Sequence, residues 1–250
     1  SVEHGSQYGR YSFIGRDPHC IIRSRYNRTE VYENGKWNED SSDFLHLLRN
    51  IQSRYGAPKL SGLPNFSGGL VGYLGYESIV WTEKIPIHEN DMLQCPDAVF
   101  MLFHELIAFD HLQNQIILFS NVQINDEMNL EKAYDDAINK IDQLGEELHV
   151  DINYQTDSMV KHSRSKLTSD FNKEDFKEAI LKVKEHIKAG DVFQLVLSQR
   201  FQRESNVESI TLYRALRSIN PSPYMFHLQM NDFNIIGASP ELLVKVENNE

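Results

Sequence analysis

The sequence lacks several things, and each absence excludes a class of function. No apolar run in the 250 residues approaches the roughly 20 needed for a helix to span a bilayer, and no secretory signal is visible. There are two cysteines, Cys20 and Cys95, far apart in sequence. They are too few for a disulfide framework and have no metal-ligand spacing, which points to a reducing, cytoplasmic setting. Basic residues are in deficit, with 25 Lys and Arg against 36 Asp and Glu and a net charge of −11. Such a balance argues against a nucleic-acid partner, which favours a basic patch. It also means that an anionic substrate must be held by a local cluster of Arg, Lys, metal or backbone amides, because the overall field does not attract it. The ten histidines include no H-x-x-x-H pair, so a protein-only zinc site is not expected. Neither a G-x-S-x-G elbow nor a P-loop is present, and no internal repeat or low-complexity run occurs.

What is present is ordinary globular material, 40% hydrophobic and 24% charged, long enough for one large domain or two modest ones and for a sizeable core. "YGRYSFIG" and "PHCIIRSR" read as strands, and "TEVYENGKW" as a hairpin with a type I′ turn at Asn34-Gly35. A helix is predicted over about 42–55, with Phe44, Leu47, Leu48, Ile51 and Tyr55 as its apolar stripe and Gly56 as its C′ residue. In "FSGGLVGYLGYES", Gly69, Gly72 and Gly75 fall three apart, so this is not the dinucleotide fingerprint. They predict strand backbone that packs closely or turns sharply. "DAVFMLFHELIAFDHLQNQIILFSNV" reads as two strands turning near Gln113-Asn114, and a long amphipathic helix follows within 126–150.

The polar, aperiodic stretch 151–170 reads as a linker or excursion, dividing a region 1–150 from a region 171–250. Asn172 is an N-cap, Glu174 and Asp175 suit the first turn, and Phe171 and Phe176 hold the staple positions. This helix is predicted to bury Phe176, Ile180, Val183 and Ile187 and to end at Gly190. A helix over about 208–219 stops before Pro221, and "YMFHLQM-ND-FNIIGASPELLVKV" reads as a hairpin leading to another strand. The element order predicts an α+β fold with antiparallel sheets. The chain starts at Ser1 rather than Met and ends in what reads as a strand and the start of a turn, as a piece of a longer protein would.

Three stretches carry chemistry. "AGDVFQLVLSQRF" reads as a buried strand with Val192, Gln194, Val196, Ser198 and Arg200 on one face. Gln194 is either an amide bonded to backbone in the core or a group facing a cavity, and the residues alone favour the first. In "NPSPYMFHL" two prolines fix φ twice. That makes a rigid connector, or a preorganised edge presenting Tyr224 and Met225 to a flat apolar ligand. In "GASPELL" Glu241 is either an exposed turn carboxylate or, if desolvated between apolar strands, a general acid with a raised pKa.

Taken together and in order, "SVE…YGRYSFIG", "GGLVGYLGYE", "AGDVFQLVLSQRF" and "NPSPYMFHL…GASPELL" resemble the chorismate-utilising enzymes, in their anthranilate synthase component I branch. The resemblance covers nearly the whole chain. It implies two antiparallel sheets enclosing helices, incomplete here because the branch is about twice this length. Residues 1–150 would be its N-terminal region and 171–250 the start of a chorismate-binding catalytic domain. It implies a lyase that converts chorismate and ammonia to anthranilate and pyruvate, at the first step of tryptophan biosynthesis. A glutamine amidotransferase subunit would supply the ammonia, L-tryptophan would inhibit, and Mg²⁺ would be bound by residues outside this chain. In the family's hydrating members a lysine stands at the position of Gln194 and activates water. An amide does not titrate and cannot do so, whereas neutral ammonia is already a nucleophile. Glu241 matches the acid that protonates the departing C4 hydroxyl. Pro223, Tyr224 and Met225, with Ser1, match the tryptophan feedback site. Aminodeoxychorismate synthase, and a non-catalytic tryptophan-binding fragment, are the alternatives. No catalysis is expected of these 250 residues alone.

Overall fold

In the computed structural model of the chain, residues 9–26, 28–58, 60–86, 91–151 and 165–246 are described. Strands β1 (Tyr11–Gly15), β2 (Cys20–Arg25), β3 (Arg28–Glu33) and β4 (Lys36–Asp40) come first. Asn34 and Gly35 between β3 and β4 both take positive φ, 52° and 81°, the geometry of a type I′ turn. Helix α1 (Phe44–Arg54) starts where the Asp43 side chain accepts from the His46 amide. Then follow β5 (Gly69–Leu74), a 3₁₀ turn (Tyr76–Trp81), β6 (Ala98–Phe103), β7 (Glu105–Asp110), β8 (Gln115–Ser120) and α2 (Leu130–Glu147). The remainder comprises β9 (Thr168–Ser169), α3 (Lys173–Ala189), β10 (Phe201–Gln202), α4 (Ser209–Ile219), β11 (Tyr224–Gln229) and β12 (Asn234–Ser239).

Every strand pairing among the described residues is antiparallel, and the α+β class with antiparallel sheets read from the sequence holds. A five-stranded sheet runs β4-β3-β2-β6-β5, and β1-β7-β8 form a three-stranded sheet. Side chains alternate along β2, so Cys20, Ile22 and Ser24 turn inward while Ile21, Arg23 and Arg25 face the other way. The inward face meets Phe44, Leu47 and Ile51 of α1, together with Ala98 and Leu102 of β6. Each Leu, Ile or Phe among these contributes about 1.5–3 kcal/mol when fully buried. A second cluster joins Met101 and Phe103 on the opposite face to Leu106, Ala108 and Phe119 of the three-stranded sheet. Gly72 permits the first sheet to close. A Cβ there would overlap the Val99 carbonyl and lie 2.7 Å from the Phe100 Cα.

By their contacts the residues fall into two units, Ser1–Asp151 with Tyr213–Glu250, and Ile152–Leu212. In the smaller unit Asn172 accepts from the Glu174 and Asp175 amides, and Gly190 ends α3 at φ 83°. Phe171 meets Phe176 edge to face at 5.8 Å.

Five expectations are corrected. The predicted strand after Asp97 is two strands. It breaks at His104, whose carbonyl is taken by the backbone and side-chain nitrogens of Asn121 at 3.0 and 2.9 Å, so β6 and β7 enter different sheets. Gly56 is not a left-handed helix stop. The chain leaves α1 in an extended conformation at Tyr55, whose ring packs against the α1 core. The apolar face of α3 is covered only in part: Phe176 and Val183 are half-buried, while Ile180 and Ile187 are each 41% exposed. The stretch Val192–Arg200 forms no ladder. Only Phe201 and Gln202 pair, with Ser169 and Thr168, and Phe193 is fully exposed. A strand exists through its neighbours, and among the described residues the segment meets one only at its end, where the Asp170 amide donates to the Arg200 carbonyl at 3.2 Å. The strand predicted after "GASPE" likewise forms no ladder over 242–246.

Candidate functional site

The two C-terminal motifs are the two strands of one hairpin. Pro221 and Pro223 fix the backbone on either side of Ser222, which is buried. The chain then enters β11, and Tyr224, Met225 and Phe226 stand opposite Ser239, Ala238 and Gly237 of β12. Gly237 leaves room for the Phe226 ring, which a Cβ would overlap. Alternation puts Tyr224, Phe226, Gly237 and Ser239 on one face and Met225, His227, Ile236 and Ala238 on the other. Tyr224 and Met225 therefore point to opposite faces, and a single ligand meets both only at the end of the strand, beside Pro223. His227 stacks on Tyr213 of α4 at 5.9 Å.

Glu241 follows two residues after Ser239, whose hydroxyl donates to the Glu241 carbonyl at 3.0 Å. The hairpin thus brings Pro223, Tyr224, Met225 and Glu241 to one end of a single element. The Glu241 side chain is exposed, so the desolvation between apolar strands that would tune it as an acid is not supplied by the described residues. Gln194 belongs to the smaller unit and is also exposed. Ser1 lies outside the described residues.

The glycine-rich stretch contributes to the hairpin's other end. Tyr73 of β5 meets Phe233 edge to face at 6.2 Å and donates to the Pro96 carbonyl at 2.8 Å. Desolvation, with Cys95 and Asp97 nearby, pushes the Tyr73 hydroxyl far above its usual pKa, so it serves as a donor rather than a base. Burial pushes the Cys20 thiol up to about 11, which removes it as a nucleophile at neutral pH. Among the described residues no group of three or more His, Cys, Asp or Glu could hold a metal ion.

Sequence reasoning missed the pair that anchors the start of β1. Arg10 donates to Asp110 from Nε and Nη2, the latter at 2.7 Å. Asp110 also accepts from the Leu112 and Gln113 amides at 3.0 and 3.1 Å. The available signal was Asp110 itself, a carboxylate at the head of the turn "DHLQN", where Asp commonly accepts from backbone amides ahead of it.

A family model for chorismate-binding enzymes matches residues 4–250. The chain belongs to the chorismate-binding enzyme family. It is 39% identical to anthranilate synthase component 1 of Acetivibrio thermocellus over 99% of this chain and 51% of that protein. It is 38% identical to a probable anthranilate synthase component 1 of Schizosaccharomyces pombe over 99% of this chain and 48% of the other. The crystal structure of anthranilate synthase component I from Streptococcus pneumoniae TIGR4 is similar with a TM-score of 0.78 at 28% identity, covering 99% of this chain and 54% of that one. The chain spans about half the length of the curated relatives it matches.

Proposed function

We propose that the protein carrying this chain is the chorismate-binding component of an anthranilate synthase. The observation that carries the reading is the identity of 39% and 38% to two anthranilate synthase component 1 proteins over 99% of the chain. Membership of the chorismate-binding family supports it. In this reading ammonia adds to the ring of chorismate as the C4 hydroxyl leaves as water. Pyruvate is then eliminated and the ring becomes aromatic, so that chorismate and ammonia yield anthranilate, pyruvate and water. Glu241 gives the proton to the departing hydroxyl. That role requires a drier surrounding than the exposed position it has here, supplied by chain beyond these residues. Gln194 has a non-titrating amide and leaves water unactivated, which suits amination rather than hydration. Ammonia comes from glutamine through a separate amidotransferase subunit, and any Mg²⁺ is held by residues outside this chain. Pro223, Tyr224 and Met225, with Ser1, form the feedback site for L-tryptophan, which acts by binding one arrangement of the enzyme more tightly than another.

The test is product fluorescence from the full-length protein given chorismate, Mg²⁺ and ammonium, with and without tryptophan. Anthranilate that falls on adding tryptophan supports both the reaction and the feedback site. Anthranilate formation indifferent to tryptophan would remove the feedback site alone, and chorismate loss without anthranilate would remove the reaction.

A further inference from the structure

Ring contacts tie the β11–β12 hairpin to its surroundings at two places. Its tip rests on the five-stranded sheet, where Phe233 meets Tyr73 edge to face and Met230 packs against the cluster of Met101, Phe103 and Phe119. Farther back along β11, His227 stacks on Tyr213 of α4, with the ring centres 5.9 Å apart and the planes 23° from parallel. An offset pair of this kind contributes beyond the area it buries.

The place of the second contact gives it a task. The last turn of α4 closes at Asn220, whose amide donates to the Leu216 carbonyl at 2.8 Å. β11 begins at Tyr224, directly after Pro221, Ser222 and Pro223. The two prolines fix φ at two positions, but the ψ angles of Pro221 and Pro223 remain adjustable. The connector by itself therefore does not set the direction in which β11 leaves the helix. A second tie beyond the connector does, and the Tyr213–His227 stack supplies it. The stack acts close to the candidate ligand residues: His227 shares its face of the hairpin with Met225, two residues back or ~7 Å along the strand. Glu241 stands farther off, past the end of β12, with its carbonyl held by the Ser239 hydroxyl at 3.0 Å.

We propose that Tyr213 and His227 are a positioning pair, whose stack fixes the angle between α4 and β11 and so preorganises Pro223, Tyr224 and Met225 for their ligand. The proposal rests on the reading of those residues as the tryptophan feedback site. An edge already set in place costs the ligand less to bind. Breaking the stack therefore weakens inhibition and spares the reaction.

The test follows anthranilate formation by the full-length protein from chorismate, Mg²⁺ and ammonium at increasing L-tryptophan, with calorimetric titration of tryptophan in parallel. Tyr213→Leu and His227→Leu keep apolar bulk and remove the stack. Each is expected to raise both the half-inhibiting concentration and the Kd of tryptophan about three- to tenfold, the range that loss of an aromatic pair implies. The kcat and KM measured without tryptophan are expected to change little. His227→Phe preserves a flat ring and is expected to retain the parent's inhibition. The double Leu variant is expected to be no worse than either single one, since the stack is broken only once. Unchanged inhibition in the Leu variants, additive losses in the double variant, His227→Phe as insensitive as His227→Leu, or a fall in kcat as large as the loss of inhibition would each overturn the proposal. A parent protein that tryptophan neither binds nor inhibits would overturn the feedback reading itself, and the pair with it.

Discussion

Arg10 grips Asp110 across one hundred positions of sequence, with Nε 3.1 Å and Nη2 2.7 Å from the same carboxylate oxygen. Asp110 is 2% exposed, and the guanidinium, with the Gln113 and Leu112 amides, holds its pKa down to about 2. The pair ties the entry of β1 to the turn between β7 and β8.

A carboxylate whose folded pKa lies below its ordinary value stabilises the fold fully above that ordinary value, near 3.8, and loses the contribution as pH falls towards 2. Asp110→Asn is therefore expected to lower the thermal midpoint at pH 7 and to flatten the acid limb of stability between about pH 4 and 2. Arg28→Met, which breaks only an exposed pair, is expected to shift the midpoint far less. Thermal melts across pH check both, and equal shifts for the two variants would contradict the ranking.

His104 offers a second pH dependence with the opposite carrier. Its ring stacks on His19 at 4.3 Å, and its Nε2 is buried without a partner. Burial first, then His19, lowers its pKa below the usual 6.5. The folded state therefore binds fewer protons than the unfolded one in this window. Stability is fully present above pH 6.5 and falls as pH drops through the lowered folded value. NMR titration is expected to place the His104 midpoint below 6.5, and His104→Phe to remove the slope in denaturant midpoints just below that pH. A midpoint at or above 6.5 would contradict this.

Two glycines are expected to respond in opposite directions to alanine. At Gly72 a Cβ meets the backbone of Val99 and Phe100, which cannot move aside, so Gly72→Ala is expected to cost about 1–3 kcal/mol or more and to loosen β5 from β6. At Gly145 in α2 a Cβ meets only the Leu118 side chain at 3.8 Å. There alanine is expected to add about 0.5–1 kcal/mol through helix propensity. Urea unfolding of both variants checks the signs.

Features encoded by a few neighbouring residues were legible in the sequence. Asn34-Gly35 turned as predicted, Asn172 and Gly190 bounded α3, and Asn231-Asp232 joined β11 to β12. What depends on distant partners was not. The break at His104 is set by Asn121, seventeen residues on. Tyr55, not Gly56, ends α1 because its ring has core to cover. The alternation in 192–200 is a real strand pattern without a neighbouring strand to complete it among the described residues. Of the candidate site, the hairpin brings Pro223, Tyr224, Met225 and Glu241 to one end. The opposed faces of Tyr224 and Met225 follow from strand alternation alone.

The roles proposed for Gln194 and Glu241 separate in kinetics of the full-length enzyme. Glu241→Gln keeps the shape and removes the proton, and is expected to lower kcat by about 10²–10⁴ with little change in KM. Gln194→Lys is expected to reduce amination and to permit some water addition, seen as a hydroxylated rather than aminated product. Full activity in Glu241→Gln would remove that residue from the chemistry.

The most direct test of the proposed reaction is mass spectrometry of the products formed by the full-length protein from chorismate, Mg²⁺ and ¹⁵N-ammonium. Labelled anthranilate with an equal amount of pyruvate is the expected result. A labelled product that retains the pyruvyl group, an unlabelled hydroxylated product, or unreacted chorismate would contradict it.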